Sequence, residues 1–324
     1  MATADPAHLE ARVRAAELAL AAHYDRTLVE HVVEPDPGAG KPGSRIRIVE
    51  YPAAGRPSAA AAALPPILLL HGVASTTALA VPLLASLRDR RVLAIDWPGH
   101  GLSGAEVIPP DAPLREDMIG VLDRVLEFFH LGQVDMIGHS LGGQAALYYA
   151  VAKPARVRRL VLLGAPGAAF SQARATIGMR AASIPGIGTA LLGLSTSQRA
   201  HDRAVERLLG PDALDGYPPE INEIGFLASQ RPEFAASAAS LFRAMMTPFA
   251  ARADVALTAS ELAHLAVPTL IVWGADDAIL TPARGRASAE AIPNATILEV
   301  EGGHAPWLNQ PARVGDAVSA FLTE

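Results

Sequence analysis

The fold of this 324-residue chain is decided by the stretch Val134-Asp135-Met136-Ile137-Gly138-His139-Ser140-Leu141-Gly142-Gly143. It begins with a short apolar run and ends where a helical pattern starts, near Leu141. Its centre matches G-x-S-x-G, and the strand-to-helix context is the one that this motif needs. A sharp turn there pushes the serine hydroxyl out of the sheet, and the glycines leave room for a strained backbone. The stretch predicts a nucleophilic Ser140; the alternative is a glycine-rich turn that contains a serine by chance.

The same pattern of an apolar run followed by a helical segment continues on both sides. Uniformly apolar runs are typical of strands buried on both faces of a parallel sheet. Their alternation with helices predicts an α/β fold, a mostly parallel sheet flanked by helices with right-handed crossovers. The predicted strands are residues 67–70, 91–95, 134–137, 160–163, 269–273 and 296–300. The predicted helices are residues 78–87, 115–129, 141–152, 282–291 and 311–322.

The regions outside this alternation predict the domain organisation. Asp5 before Pro6 is typical of a helix start, and apolar residues then recur at helical spacing over residues 6–24. Arg45-Ile46-Arg47-Ile48-Val49 alternates, which predicts a half-exposed strand near a sheet edge. Residues 167–266 contain no convincing strand and are too long for a loop, which predicts a helical insertion. We therefore expect an N-terminal helix (1–26), a core (27–166 and 267–324) and a helical cap insertion (167–266).

The composition excludes several classes of function. The chain has no cysteine, which excludes a disulfide scaffold, a thiolate zinc site, an iron–sulfur cluster and a cysteine nucleophile. The net charge of -6 gives no electrostatic reason to expect nucleic-acid binding. No apolar stretch reaches the roughly 20 residues of a membrane span. Asp5 and Glu10 lie where a signal peptide needs a basic region, so a cytoplasmic location is expected.

A serine hydroxyl is a weak nucleophile until a base removes its proton, so a base and its carboxylate partner must be found. His304 lies in Gly302-Gly303-His304, just after the predicted strand 296–300. The carboxyl ends of strands in an open α/β sheet form the edge that binds ligands, which singles out this histidine. Asp276 and Asp277 follow the strand 269–273 at the same edge, and either one is a candidate partner.

Several motifs together resemble the α/β-hydrolase superfamily, from about residue 27 to the C-terminus. The serine, aspartate and histidine follow one another in the order of that superfamily. His71-Gly72-Val73 after a strand resembles its oxyanion loop, and Asp96-Trp97-Pro98-Gly99-His100-Gly101-Leu102-Ser103 resembles the turn after the next strand. The serine turn, the segment Trp273-Gly274-Ala275-Asp276-Asp277 and the Gly-Gly-His segment complete the set.

The resemblance assigns roles to individual residues. It implies that Ser140 is the nucleophile and His304 the general base, and its Gly-x-x-Asp spacing selects Asp277 over Asp276 as the orienting carboxylate. The backbone N–H groups of Val73 and Leu141 would form the oxyanion hole, and the insertion would be a helical cap over the site. No metal and no organic cofactor is required.

Other residues near these motifs receive simpler interpretations. His139 and Trp307 are candidate substrate-binding residues, although simple packing is the alternative for both. His71 is expected to organise its loop, and Asp96 and His100 to be structural.

A serine nucleophile indicates acyl transfer through a covalent intermediate. Apolar residues are frequent in the insertion, which favours a small to medium, largely apolar carboxylic ester as substrate. The same triad also suits C–C bond hydrolysis, lactone hydrolysis or acyl transfer to an alcohol. A ligand-binding protein without catalysis is the remaining alternative. The sequence predicts a small-molecule substrate and leaves the oligomeric state open.

Overall fold

A computed structural model describes residues 5–35, 43–55, 59–194, 197–210 and 212–324. Its centre is one sheet of eight strands. The strands are β1 (Val29–Val33), β2 (Ile46–Tyr51), β3 (Ile67–Leu70), β4 (Val92–Asp96), β5 (Val134–His139), β6 (Val157–Leu163), β7 (Thr269–Gly274) and β8 (Ala295–Val300). All six strands that the apolar runs predict are present, with bounds shifted by a few residues.

The strand order is β1-β2-β4-β3-β5-β6-β7-β8. β3 to β8 are parallel to one another. β2 pairs antiparallel with both of its neighbours, β1 and β4. The predicted α/β class with a mostly parallel sheet is therefore confirmed. Because the parallel strands end at one edge, the loops after β3, β4, β5, β7 and β8 meet there.

Helices cover both faces of the sheet. They are α1 (Pro6–His23), α2 (Ala59–Ala63), α3 (Leu114–Phe128), α4 (Leu141–Ala152), α5 (Ile177–Ser183), α6 (Ile187–Leu192), α7 (Gln198–Leu209), α8 (Glu220–Ser229), α9 (Phe234–Met245), α10 (Ala259–Ala263), α11 (Pro282–Glu290), α12 (Pro306–Asn309) and α13 (Pro311–Thr323). Thr77–Ser86 and Pro154–Arg156 are 3-10 helices. The helical segment predicted over residues 78–87 is present as a 3-10 helix; it contains Pro82, which has no N–H for an α-helical hydrogen bond.

Two apolar clusters hold these layers together, one on each face of the sheet. One joins α3 and α4 to the sheet through residues such as Leu122, Val125 and Ala145. The other joins α1, the first 3-10 helix and α13 through residues such as Leu20, Leu84 and Val318. The N-terminal helix also packs on α8 and makes an ion pair from Arg12 to Glu223. The N-terminal helix is therefore packed onto the rest of the protein.

The prediction for β2 is wrong in one respect. β2 is second from the edge, between β1 and β4, but it is buried instead of half-exposed. Arg47 in this strand is only 1% exposed. Its guanidinium group is buried because α1 covers it and supplies the carboxylate of Glu17. The alternation of arginine and isoleucine thus does not mark a solvent-facing side.

Between β6 and β7 the described residues contain the six helices α5 to α10 and no strand, apart from one isolated bridge between Met246 and Ala251. The helical character expected for this insertion is confirmed. Over the described ranges, no helix combines the length and the apolar character needed to cross a membrane.

Candidate active site

Ser140 occupies a strained turn between β5 and α4. Its backbone has φ 52° and ψ -115°, in the left-handed region that side-chain-bearing residues rarely adopt. A Cβ atom at Gly138 would lie 2.5 Å from the carbonyl oxygen of Gly142, and one at Gly142 would lie 2.2 Å from that of Leu70. Only glycine fits at both positions. Strain of this kind costs about 1–3 kcal/mol and persists where the surroundings enforce it.

The loops after β7 and β8 bring Asp277 and His304 together. The Nδ1 atom of His304 lies 2.8 Å from Oδ2 of Asp277, and both residues are almost fully buried. Oδ2 also accepts from the N–H of Ala165, and Oδ1 accepts from the N–H groups of Ile279 and Leu280. Asp276 is exposed. The geometry therefore pairs the histidine with Asp277.

Burial by itself would raise the pKa of Asp277. The charge and hydrogen bond of His304 and the backbone N–H groups outweigh burial and leave the pKa below its usual value. An ionised Asp277 that accepts from Nδ1–H fixes the imidazole tautomer, so that Nε2 carries the lone pair.

The Nε2 atom of His304 is buried and has no hydrogen-bond partner among the described residues. The hydroxyl of Ser140 is therefore not hydrogen-bonded to it in this conformation. The ring of His139, the residue before Ser140, lies 4.7 Å from that of His304. Catalytic hydrogen bonds often tighten only when substrate binds. A general base needs a free lone pair to take a proton, and Nε2 of His304 has one.

Two backbone donors lie beside this turn. In the part of the chain that the structure describes, the N–H groups of Val73 and Leu141 have no hydrogen-bond partner. Leu141 is the first residue of α4, so its N–H lies at the positive end of a helix. The structure thus leaves unused the two N–H groups that the sequence predicts as the oxyanion hole.

Two histidines hold the loop that carries Val73. His71 donates from Nδ1 to the carbonyl of Gly72 at 2.7 Å, and its Nε2 accepts from the N–H of Trp97. The Gly72 carbonyl belongs to the same peptide unit as the Val73 N–H, so this bond orients that donor. His100 accepts the N–H of Ala74 at 3.0 Å. The expectation that His71 organises its loop is confirmed, and His100 has a structural role on the other flank.

His139 and Trp307, the predicted substrate-binding residues, pack on each other. Their ring centroids are 4.8 Å apart, and Nε2 of His139 lies 3.1 Å from the carbonyl oxygen of His304. Trp307 is 1% exposed and donates from its indole nitrogen to Leu79. His139 contacts His304 directly, Trp307 packs on His139, and contact of either side chain with substrate stays a prediction.

The three other histidines of the site are uncharged near neutral pH. Burial lowers the pKa of His71, and it lowers the pKa of His100 to about 3. Burial and then the neighbouring His304 lower the pKa of His139 well below 6.5. The surroundings of Ser140 therefore carry no positive charge from these rings.

These three imidazoles predict acid sensitivity. Because their folded pKa values lie below 6.5, they take up protons on unfolding, and their contribution to stability is complete above that pH. Below it, each lowers the free energy of unfolding by about 1.4 kcal/mol per pH unit, until its folded pKa is reached. Denaturant titrations from pH 7.5 to 5 measure this slope.

One variant tests the source of the slope. His100→Asn should flatten it, because this variant lacks one of the three buried imidazoles. An equal slope in wild type and His100→Asn would contradict the assignment.

The helical insertion contacts the turn after β4 and the segment after β8. Arg231 donates to the carbonyls of Gly101 and Ser103, and the ring of Phe234 lies 6.0 Å from that of His100. Tyr217 donates to the carbonyl of Leu308. The sequence did not single out Arg231 among the arginines of the insertion or assign a contact to Phe234, because helical periodicity does not show which face of an insertion contacts the core. Several apolar residues of the insertion are exposed, among them Ile187, Leu191, Leu194 and Phe249.

Comparison with known proteins identifies the family. The profile of the alpha/beta hydrolase family matches residues 67–317. A 2-hydroxymuconate semialdehyde hydrolase from Pseudomonas sp. (strain CF600) is 33% identical over 276 residues, which cover 80% of this chain and 87% of that protein.

Two solved structures share the fold at low sequence identity. A carboxylesterase from Bacillus subtilis gives a TM-score of 0.72 at 19% identity, over 97% of this chain and 98% of the other. A 2-hydroxy-6-oxo-6-phenylhexa-2,4-dienoate hydrolase from Rhodococcus sp. strain RHA1 gives 0.71 at 18% identity, over 92% of this chain and 100% of the other.

Proposed function

Since this chain belongs to the alpha/beta hydrolase family, we propose that it is a serine hydrolase that cleaves a carboxylic ester through an acyl-enzyme on Ser140. The observation that carries this proposal is the buried hydrogen bond between His304 and Asp277 beside the strained serine turn. It supplies the oriented base that a serine nucleophile needs.

The proposed reaction has two halves. Oγ of Ser140 attacks the ester carbonyl while Nε2 of His304 takes the hydroxyl proton, and the N–H groups of Val73 and Leu141 stabilise the oxyanion. The intermediate collapses when the alkoxide leaves with the proton from His304. Water then attacks the acyl-enzyme, again with His304 as base, which releases the acid and restores Ser140. Asp277 remains ionised and stabilises the imidazolium.

The charge around Ser140 favours an uncharged substrate. His71, His100 and His139 are neutral, and Asp277 is ionised. A substrate carboxylate placed here would meet no cation among these rings. We therefore infer a small to medium ester whose acyl part is apolar.

A second candidate is C–C bond hydrolysis. Its support is the 33% identity to a 2-hydroxymuconate semialdehyde hydrolase. The same serine and histidine would serve, with a carbon leaving group in place of an alkoxide. The substrate named for that relative carries a carboxylate. The neutral side chains of His71, His100 and His139 do not favour binding of a carboxylate.

We also propose that residues 167–266 act as a cap. Arg231, Tyr217 and Phe234 connect this segment to the loops that follow β4 and β8. Ser140 is only 5% exposed beneath them. In this proposal the core comprises residues 27–166 and 267–324. Substrate entry then requires the insertion to move relative to the loops of the core.

Covalent labelling tests the nucleophile. A fluorophosphonate should form one adduct on wild-type protein, located on Ser140 by peptide mapping, and none on Ser140→Ala. Ser103→Ala is the matched control. Ser103 is also buried, but its hydroxyl donates to the carbonyl of Asp96, so this variant should form the same adduct as wild type. An adduct that persists in Ser140→Ala, or no adduct on folded wild type, would contradict the proposed nucleophile.

Substrate turnover separates the two chemistries. We expect kcat/KM for p-nitrophenyl butyrate to exceed that for 2-hydroxymuconate semialdehyde by about 10²-fold, because an unpaired charge is costly in a buried site. Product analysis by mass spectrometry identifies the bond that is cleaved. The reverse order of turnover would favour C–C hydrolysis.

A further inference from the structure

A cavity of about 460 Å³ lies at the surface where the insertion meets the core. Its wall includes Arg174 and Arg180 from the first part of the insertion, Phe249 from the loop after α9, and Arg284 from α11 of the core. Its volume is within the range of small-molecule sites, about 300–1,000 Å³. Among the described residues, none of the three proposed catalytic residues lines it, so the cavity is separate from the candidate active site.

The three arginines of this cavity have no carboxylate partner. Over the described ranges, no aspartate or glutamate lines the cavity or forms an ion pair with these arginines. By contrast Arg286, two residues after Arg284, pairs with two glutamates. A chain with a net charge of -6 therefore places three cations without counter-ions around one cavity.

Most of the N–H groups of these guanidinium groups are unused by the protein. A guanidinium group has five N–H donors. Arg180 donates from Nε to the carbonyl of Ala175, and Arg284 donates from Nη2 to the carbonyl of Gln172. In the part of the chain that the structure describes, the side chain of Arg174 donates to no protein atom. The cavity therefore presents donors to the acceptor oxygens of a ligand.

The wall that carries Arg174 is fixed to the core. The backbone N–H of Arg174 donates to the carbonyl of Ile279 at 3.1 Å. Ser288 of α11 donates to Oε1 of Gln172 at 2.8 Å, and the bond from Arg284 to the Gln172 carbonyl is the third connection. The cavity is thus formed before a ligand binds, which lowers the entropic cost of binding.

Two exposed apolar side chains lie at the edge of the cavity. Phe249 lines it and is 78% exposed, and its backbone N–H is held by the hydroxyl of Thr247. Ile177, at the start of α5, is 86% exposed and precedes Arg180 by three residues, which places both on one face of the helix. An exposed ring beside cations offers a contact surface for the organic part of an anionic ligand.

The number of cations favours a phosphate monoester over a carboxylate. A phosphate monoester carries about 1.5 to 2 negative charges near pH 7 and three terminal oxygens. A carboxylate carries one charge and two oxygens, which leaves most of the positive charge of the cavity without a partner. Guanidinium groups bind phosphate through paired N–H donors, so three of them suit a dianion.

We propose that this cavity binds an organic phosphate monoester, with the phosphate among the three arginines and the apolar part of the ester against Phe249. The site is independent of the proposed ester hydrolysis. Two sources supply this chemistry, a soluble organic phosphate and the phosphate headgroup of a lipid in a membrane, and the experiments below separate them.

Calorimetric titration with phenyl phosphate tests the site. Arg174→Gln should raise Kd about 10-fold, because a hydrogen bond between charged groups is lost. The variant should melt with wild type, since this side chain makes no bond to the protein. Arg313→Gln is the matched control: it removes the same charge from an exposed position on α13, outside the cavity, and should leave Kd unchanged. An equal Kd in wild type and Arg174→Gln would overturn the proposal.

Two further ligands test the class of anion and the role of the ring. Benzoate has the same ring with a carboxylate, and inorganic phosphate has no ring. Each should bind about 10-fold more weakly than phenyl phosphate. In Phe249→Ala the difference between phenyl phosphate and inorganic phosphate should disappear. Benzoate that binds as tightly as phenyl phosphate would overturn the phosphate assignment, and a difference that persists in Phe249→Ala would overturn the contact with the ring.

Cosedimentation with phosphatidylcholine vesicles, with and without phosphatidic acid, identifies the source of the phosphate. Binding that requires phosphatidic acid, is lost in Arg174→Gln and is kept in Arg313→Gln would assign the site to a lipid headgroup. Binding of phenyl phosphate without binding of these vesicles would assign it to a soluble phosphate. Binding of neither probe would overturn the site.

Ser140→Ala separates this site from the proposed function. Because the nucleophile does not line the cavity, Ser140→Ala should bind phenyl phosphate with the wild-type Kd, whether or not the wild type hydrolyses esters. A Kd that changes in Ser140→Ala but not in Arg174→Gln would place the probe in the candidate active site and overturn the separate phosphate site.

Discussion

Replacing Asp277 with asparagine is expected to lower kcat for ester hydrolysis by about 10⁴-fold, the loss seen when a triad carboxylate becomes an amide. The expectation rests on hydrogen-bond geometry. Oδ2 of Asp277 accepts from the N–H of Ala165 and pairs with Nδ1 of His304, while Oδ1 accepts from the N–H groups of Ile279 and Leu280. All four bonds need an acceptor.

An asparagine cannot meet that demand, because one of its two terminal atoms is a donor. If its oxygen faces Ile279 and Leu280, its NH₂ group faces His304. The imidazole must then accept at Nδ1 and carry its proton on Nε2, which removes the base from Ser140. If the amide is reversed, its NH₂ group opposes two backbone N–H groups instead. Either arrangement is unfavourable, and the first also abolishes general-base catalysis.

Asp276→Asn is the matched control for this measurement. Asp276 is adjacent in sequence and exposed, so the same chemical change should leave kcat unaffected. Steady-state kinetics with p-nitrophenyl butyrate should show the loss in kcat rather than in KM, because the oriented base acts in the transition state. A large loss in Asp276→Asn, or activity close to wild type in Asp277→Asn, would mean that another group orients the histidine.

The choice between these two aspartates shows what the sequence can predict about the site. Their position after a buried strand placed both at the right edge of the sheet, and only a resemblance in spacing separated them. The physical difference is burial of one and exposure of the other, which depends on how the chain turns after β7. Local pattern therefore located the candidate site, and tertiary contacts decided between its members.

The strands were predictable for a different reason. Parallel strands covered on both faces are apolar throughout, and the signal is contained within each run. The hydrogen bonds of His71 and His100 carry no such signal. Each ties backbone groups 26 residues away in sequence, from Trp97 to His71 and from Ala74 to His100. No periodicity reports a contact of that kind.

Arg47 is the residue for which the sequence pattern was misleading. Its guanidinium group makes two bonds to Glu17, at 2.9 and 2.6 Å, and one to Asp96 at 2.9 Å. Burial by itself would lower its pKa, but the carboxylates of Glu17 and Asp96 outweigh burial and raise it, so the group remains charged. The ion cluster connects α1 to β2 and β4, and Asp96 begins the turn that contains His100.

Replacing Arg47 with methionine is therefore expected to lower the free energy of unfolding by about 3–5 kcal/mol at pH 7, because two buried carboxylates lose their cation. Arg45→Met is the matched control two residues away. Arg45 is only partly buried and donates to the carbonyl of Leu102, so its loss should cost about 1 kcal/mol.

The pH dependence separates the loss of charge pairing from the loss of packing. Burial already raises the pKa of Glu17 in the wild type, and the charge and hydrogen bond of Arg47 oppose that effect, so the pKa of Glu17 should rise further without the cation. The variant then binds more protons folded than unfolded, so this part of the destabilisation shrinks as pH falls. The difference in free energy of unfolding between wild type and Arg47→Met, measured by denaturant titration, should therefore narrow from pH 7.5 to 5. A difference that is constant with pH would assign the effect to packing, because a cavity left by the shorter side chain does not titrate.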